Sequence, residues 1–360
     1  MRVVELPGVP GYPEIRPTSL NNHGTTVGYA MDYPRTRALT WNRAGKLTEL
    51  PAIGGSSSAV QVNNRGTAVG YVSTPSDRQF PALWDAAGRL TVLPSLGDRR
   101  TTEVRAINDN GIAVGVAYDE QYDWRSYLPV RWDRKHRITE LPLPPGYRYG
   151  AATLINKPGT VAGFAAKDDE SWRALRWDSK GNVRVLETLG GPTSWVSAIN
   201  NHGVMVGRAD WAPYRSSPVR WDRDGRITEL PSLSPGRHYG YVAEINERGI
   251  AVGVSDVDPP LSEAVRWDRD GRLSQLPSLN GSIGDWASAI NERGVIVGSA
   301  LMGDYSSRPM MWDRDGRLRA LPSPDGYESA SAEFISEHGI IVGSGTGPDG
   351  RGKALLWRVA

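Results

Sequence analysis

Residues 198–231 read AINNHGVMVGRADWAPYRSSPVRWDRDGRITELP, and this stretch decides the fold because its pattern recurs along the whole chain. An apolar segment ending at Asn200 turns through Gly203 into a second apolar segment. After a variable loop, a third segment ends at Trp221 and turns through Asp-x-x-Gly into a fourth. Alternating apolar residues separated by such turns indicate β-hairpins. The stretch therefore predicts four short antiparallel strands.

Two features repeat with a period of about 45 residues, in fixed alternation. The first is a tryptophan, found at Trp41, Trp84, Trp132, Trp177, Trp221, Trp267, Trp312 and Trp357. The second is the Asn-x-x-Gly turn, which begins at Asn21, Asn63, Asn108, Asn156, Asn200, Asn246 and Asn291, with Ser336 in the eighth copy. Eight four-stranded repeats without a helical period predict an all-β fold, an eight-bladed β-propeller.

The two ends of the chain predict how the ring closes. The eighth copy stops just after Trp357 and lacks a fourth strand, whereas residues 2–7, RVVELP, have the sequence of that strand. A closed ring also leaves no unpaired first and last edge. We therefore expect one domain over residues 1–360, a closed propeller in which residues 2–7 form the outer strand of blade 8.

Composition excludes several kinds of function. The net charge is only +2 and there is no cysteine, so a surface that tracks nucleic-acid phosphates, disulfides and Cys-ligated metal are not expected. We expect no metal or cofactor, because phosphate-loop, nucleophile-elbow and zinc-helix motifs are missing. No apolar run is long enough to span a bilayer, and no signal peptide begins the sequence. A soluble cytoplasmic protein is expected; the alternative is a secreted one whose signal was removed.

The repeated motifs resemble those of the HAF-repeat proteins, a bacterial family described as probable extracellular repeats. Residues 198–207, AINNHGVMVG, and residues 187–191, ETLGG, are similar to that family's characteristic stretches, and the resemblance covers all eight copies. The His-Ala-Phe that names the family is replaced here, for example by residues 37–39, RAL. The resemblance implies the propeller fold but no catalytic residues.

Surplus aromatic residues mark one face. Five of the 13 tryptophans break the repeat. All five lie either in the connection after the second strand of a blade or in the connection that leads into the first strand of the next blade. These connections share one face, here called the top, because the Asn and Asp hairpins occupy the other. Aromatics massed on one face are typical of a binding surface. The aromatic residues predicted to bind a ligand there are Trp124, Tyr127, Tyr149, Trp172, Trp195, Trp211, Tyr239, Tyr241 and Trp286.

One position of each innermost strand differs from blade to blade, whereas scaffold positions hold one residue type. It lies five residues before the turn asparagine and is here called the ring position. Its occupants are Arg16, Ser58, Glu103, Ala151, Trp195, Tyr241, Trp286 and Ser331. The charged members Arg16 and Glu103 are added to the predicted binding residues. The alternative is that these side chains only wedge between blades.

Acid–base candidates lie in two top connections. The connection of blade 3, from Gly115 to Trp132, is the longest and carries Asp119, Glu120 and Asp123. His238 is the histidine predicted to lie on the top face, whereas the other four fall in bottom turns. A histidine or a carboxyl group desolvated by aromatics could transfer protons near neutral pH.

Three functions fit this pattern. The first is binding of a small organic or sugar-like ligand in an aromatic-rich pocket at the top centre. The second is a cofactor-independent cyclase, lyase or hydrolase that uses the same pocket. The third is a protein-interaction scaffold, which rests on fold analogy alone. A lectin with one sugar site per blade is disfavoured, because the surplus aromatics do not recur in every copy.

Overall fold

The computed structural model describes residues 1–97, 100–119, 124–168, 171–213, 215–234, 240–258 and 261–358. Its strands form eight separate four-stranded antiparallel sheets, one for each sequence repeat. A 3₁₀ turn, Trp124–Ser126, is the one helical element of the described residues. The predicted eight-bladed β-propeller is confirmed.

The strands are numbered in chain order. The first, β1 (Arg2–Glu5), belongs to blade 8, and the remaining strands follow blade by blade from blade 1. They are β2 (Glu14–Leu20), β3 (Thr26–Asp32), β4 (Arg35–Trp41) and β5 (Leu47–Glu49); β6 (Ser57–Val62), β7 (Ala68–Ser73), β8 (Gln79–Trp84) and β9 (Leu90–Val92); β10 (Arg100–Ile107), β11 (Ala113–Asp119), β12 (Leu128–Trp132) and β13 (Ile138–Glu140); β14 (Tyr149–Ile155), β15 (Val161–Ala166), β16 (Trp172–Trp177) and β17 (Val183–Val185); β18 (Ser194–Ile199), β19 (Met205–Ala212), β20 (Arg215–Trp221) and β21 (Ile227–Glu229); β22 (Gly240–Ile245), β23 (Ala251–Asp258), β24 (Leu261–Trp267) and β25 (Leu273–Gln275); β26 (Ser282–Ile290), β27 (Ile296–Met302), β28 (Ser307–Trp312) and β29 (Leu318–Ala320); and β30 (Ser329–Ile335), β31 (Ile340–Thr346) and β32 (Gly352–Arg358).

The ring closes through β1. This strand pairs antiparallel with β32, in a register that runs from Arg2 opposite Arg358 to Glu5 opposite Leu355. The amide of Leu6 then donates to the carbonyl of Ala354 over 2.8 Å, and the Leu6 side chain is fully buried between blades 8 and 1. The N-terminal strand thus completes the last blade, as its sequence predicts.

The repeated tryptophan joins each blade to the one before it. All eight rings are buried, as expected for packing between blades. Each indole N–H also donates to a backbone carbonyl at the end of the preceding blade's outer strand, over 2.7–2.9 Å. The acceptors are Pro7, Pro51, Pro94, Pro142, Glu187, Pro231, Pro277 and Pro322. A buried indole N–H therefore has its partner in every blade.

The repeated asparagine has two roles. Its side-chain carbonyl accepts backbone N–H groups of its own turn, as at Asn200, where Val204 N donates over 3.0 Å. Its amide nitrogen donates to the carbonyl of the equivalent residue in the next blade, over 2.9–3.2 Å, at all seven asparagines. The last acceptor is Ser336, whose own hydroxyl accepts from Ile340 N in its turn. Seven of the eight blade junctions therefore carry this bond.

The glycine of each Val-Gly pair permits a bulge in the innermost strand. In blade 5 the register shifts between Val196 and Ala198, which brings the carbonyl oxygen of Trp195 against Gly207. A Cβ at Gly207 would lie 1.9 Å from that oxygen. The equivalent glycines of the other blades meet the carbonyl of their own ring position in the same way, so any side chain there would collide with backbone.

Candidate functional site

Every ring position has a cross-strand partner on the second strand of its blade. The pairs, in blade order, are Arg16 with Tyr29, Ser58 with Tyr71, Glu103 with Val116, Ala151 with Phe164, Trp195 with Arg208, Tyr241 with Val254, Trp286 with Ser299 and Ser331 with Ser344. Because directly opposed residues share a face of the sheet, these pairs form a double row around the mouth of the channel. The row is aromatic on some blades and charged or small on others.

Five aromatic rings pack together across blades 3, 4 and 5, and are here called the aromatic cluster: Trp124, Tyr149, Phe164, Trp172 and Trp195. Trp172 stacks on Trp195 with centroids 5.6 Å apart and an interplanar angle of 20°. Phe164 meets Trp195 at 4.6 Å and Trp172 at 5.1 Å. Trp124 meets Trp172 at 5.1 Å and the edge of Tyr149 at 5.6 Å. All five rings are partly exposed.

Phe164 was missed by the sequence reasoning. It follows Gly163 on the second strand, where Tyr29 and Tyr71 stand in blades 1 and 2, so an aromatic there does not break the repeat. The clue in the sequence is the alanine at the ring position of the same blade, Ala151, which is the smallest residue at any ring position. Ala151 pairs with Phe164 across the strands and leaves the aromatic side chain of Phe164 open toward Trp195.

The remaining predicted aromatics lie outside the cluster. Tyr127 packs on the buried Tyr118, with centroids 5.4 Å apart. Trp211, near the end of β19, is 39% exposed, and Tyr241 at its ring position is 43% exposed. Trp286 is partly buried at the ring position of blade 7. The structure thus brings four of the predicted aromatics together in the cluster and places these four outside it.

The two charged ring residues differ in their surroundings. Glu103 accepts a hydrogen bond from the hydroxyl of Tyr118 over 2.5 Å and pairs with Arg105 over 2.6 Å. It lines a cavity of about 440 Å³ between blades 2 and 3. Arg16 is exposed and has no ion pair or hydrogen bond with any residue that the structure describes. Glu103 is therefore held in place, whereas Arg16 is free to meet a ligand.

Of the acid–base candidates, the structure describes one. Asp119 is exposed at the end of β11, and its backbone N–H donates to the hydroxyl of Ser126 over 3.1 Å. The other candidates, Glu120, Asp123 and His238, lie outside the described residues, as does Tyr239. Within the described ranges no three His, Cys, Asp or Glu side chains are grouped as a metal site would require. No helix found there is long and apolar enough to cross a membrane.

Glu244 has an unusual environment on β22, the innermost strand of blade 6, three residues after the ring position. Its Oε2 accepts the backbone N–H of Ile290 in blade 7 over 3.0 Å. Burial, together with the nearby carboxylates Glu292 and Glu337, raises the pKa of Glu244 to about 7. Gln61 holds the equivalent place in blade 2 and accepts from Ile107 N over 2.6 Å. A neutral amide therefore makes the same bond elsewhere in this chain.

Glu244→Gln is expected to stabilise the protein above neutral pH. A carboxyl group whose pKa is raised by folding costs stability once it ionises, so the deficit grows as pH rises from 4.5 to about 7 and is complete above that. The variant should match the native protein at pH ~5 and exceed it by about 1–3 kcal/mol at pH ~8. Urea unfolding at both values measures this.

The reciprocal substitution Gln61→Glu supplies the matched control, because it places a carboxyl group in the same bond in blade 2. It should lose stability as pH rises. If the free energy of unfolding of Glu244→Gln fell between the two pH values as much as that of the native protein, Glu244 would not be the cause of the pH-dependent loss of stability.

Comparison with known proteins extends only to the fold. No family model and no curated protein sequence matches the chain. A streptogramin B lyase structure is similar with a TM-score of 0.50 at 10% identity, over 99% of this chain and 98% of that one. A puromycin hydrolase gives 0.56 at 15% identity, over 92% of this chain and 58% of that one.

A third similar structure is the β-propeller domain of the trilobed protease from Pyrococcus furiosus, with a TM-score of 0.55 at 10% identity, over 87% of this chain and 97% of that one. Its ring is described as an open velcro, whereas β1 closes the ring here. Likeness at such low identity shows a shared propeller fold and nothing finer, and the resemblance to HAF-repeat proteins stays a prediction.

Proposed function

We propose that this propeller binds a small organic or sugar-like ligand on the aromatic cluster at the top of blades 3 to 5. The observation that carries the proposal is the packing of Trp124, Phe164, Trp172 and Trp195 into one partly exposed group beside the channel mouth. Aromatic faces bind flat rings by stacking and by dispersion, and they lose little conformational freedom when they do so.

The fold requires the repeated tryptophans but not the tryptophans of the aromatic cluster. Every repeated indole N–H reaches a carbonyl of the preceding blade, whereas the indole N–H groups of Trp172 and Trp195 donate to no residue that the structure describes. A partly exposed ring with a spare donor offers a ligand both a stacking face and a hydrogen bond.

Charged groups beside the cluster favour a ligand that is not purely apolar. Arg208 is exposed and is the cross-strand partner of Trp195. Asp210 lies two residues further along β19, where partial burial raises the pKa of its carboxyl group, and hydrogen bonding to Thr193 and the charges of Arg208 and Arg173 oppose that effect. Such convergent polar groups would orient a ligand whose ring lies on the tryptophans.

The proposal is tested by ligand-observed NMR with indole and methyl β-D-glucoside as probes. Saturation transfer from the native protein is expected to at least one of them. Trp195→Ala should weaken that binding about 5- to 10-fold, because the ring loses its stacking partner. Tyr305→Ala is the control, since Tyr305 is 80% exposed in a top connection of blade 7, away from the cluster. Equal binding to all three proteins, or to none, would contradict the proposal.

A further inference from the structure

A polar cavity lies between blades 8 and 1 at the mouth of the channel. In a ring of eight blades this junction is opposite the aromatic cluster. The cavity, here called the 8–1 pocket, has a volume of about 280 Å³. Its walls are Glu14 and Arg16 of β2, Ser307 of β28, four residues of β30, and five residues of the glycine-rich segment 343–352, GSGTGPDGRG, which are Ser344, Gly345, Thr346, Gly350 and Gly352. No other blade has such a segment between its second and third strands.

A carboxylate held by two hydroxyls forms one side of this pocket. Glu333 Oε1 accepts hydrogen bonds from Ser331 Oγ over 2.9 Å and from Ser344 Oγ. Both serines occupy the double row of the mouth, at the ring position and opposite it. The two bonds fix the orientation of the carboxylate and leave its Oε2 without a partner among the described residues. That oxygen remains available to a hydrogen-bond donor.

An unpaired guanidinium forms the other side. A Cβ added at Gly352 would lie 3.3–3.4 Å from Nε, Cζ and Nη2 of Arg16, so the guanidinium rests against a strand that has no side chain there. Arg16 and Glu14 are two residues apart on β2 and point to the same face, yet neither makes an ion pair with a described residue. The pocket therefore holds separated charges of both signs.

We propose that the 8–1 pocket binds a small zwitterion of the α-amino acid class. The ligand's carboxylate would pair with the fork of Arg16, and its ammonium group would donate to Glu333 Oε2 and to Glu14. Two carboxylates against one guanidinium disfavour a phosphate or another purely anionic ligand. The volume admits a molecule of amino-acid size, and the lining of serines and glycines leaves its side chain little apolar contact. The site is independent of the aromatic cluster.

The test uses the full-length protein with L-alanine as the probe, measured by calorimetry and by ligand-observed NMR. Two analogues each remove one charge: L-alanine methyl ester lacks the carboxylate, and N-acetyl-L-alanine lacks the ammonium group. We expect L-alanine to bind at millimolar concentration and each analogue to bind about 10-fold more weakly or worse. Absence of L-alanine binding, or equal binding of an analogue, would overturn the proposal.

Substitutions assign the binding to this pocket. Arg16→Gln and Glu333→Gln should each weaken L-alanine about 10-fold, and the glutamine at 333 can still accept the serine hydroxyls. Arg351→Gln removes a neighbouring exposed charge that does not line the pocket and should leave binding unchanged. Trp195→Ala should also leave it unchanged, which separates this site from the aromatic cluster. Binding that survives Arg16→Gln would refute the assignment.

Discussion

Removal of residues 1–7 is expected to be the most damaging change that the chain offers. The deletion takes away the whole of β1, the buried Leu6 and the carbonyl of Pro7 that Trp41 uses. Loss of a buried leucine alone costs about 2–5 kcal/mol, and the ladder and indole bonds add about 1 kcal/mol each, so the free energy of unfolding should fall by about 5 kcal/mol or more. Thermal unfolding and solubility after expression measure the effect.

The deletion also leaves β32 as an unpaired edge, which favours aggregation. A synthetic peptide of residues 1–7 should therefore restore part of the lost stability when added in excess, because it binds only the folded ring. Val4→Thr serves as the control, since Val4 is 44% exposed and its backbone pairing is unaffected. A shortened protein with the melting temperature of the full chain would contradict closure by this strand.

Two tryptophans of blade 5 should respond in opposite ways to the same substitution. Trp221 is fully buried and donates to the carbonyl of Glu187 over 2.8 Å, so Trp221→Ala should cost about 3–5 kcal/mol through the cavity that it leaves. Trp195 is partly exposed, and its ring contacts among the described residues are with Phe164 and Trp172, so Trp195→Ala should cost about 1 kcal/mol. Urea unfolding of both variants compares them directly.

A large loss of stability in both variants would show that Trp195 packs blades together as Trp221 does, and the aromatic cluster would then belong to the scaffold. The two residues lie in one blade and carry the same side chain. The difference between the two losses of unfolding free energy therefore reports where each tryptophan lies and not which side chain is removed.

The fold could be predicted because its determinants repeat. Each Trp and each turn Asn makes the same local contacts in blade after blade, so their spacing reports the architecture directly, and the missing strand after Trp357 indicates the closure. The bonds between successive asparagines could not be predicted, since they depend on how far apart neighbouring blades sit. The spacing within one repeat does not contain that distance.

The site was harder to predict because it is formed by exceptions to the repeat. Trp172 and Trp195 are visible as surplus residues, but their contact with Phe164 requires the register that places Phe164 opposite a small alanine. Of the residues that line the 8–1 pocket, the sequence indicated only Arg16 as a binding residue. Its partner Glu333 lies more than 300 positions away in the chain and becomes a neighbour only once the ring has closed.

The pairing of β1 with β32 also sets the order of events during synthesis. β1 is made about 350 residues before its partner β32, so at 5–20 residues per second it waits for roughly 20–70 s on the ribosome. During that time blades 1 to 7 can form in sequence, each bonding to its predecessor through a new tryptophan. The junction that must close last is also the one where Ser336 replaces asparagine, so the nascent chain completes its ring at the one junction without the bond from an asparagine amide to the next blade.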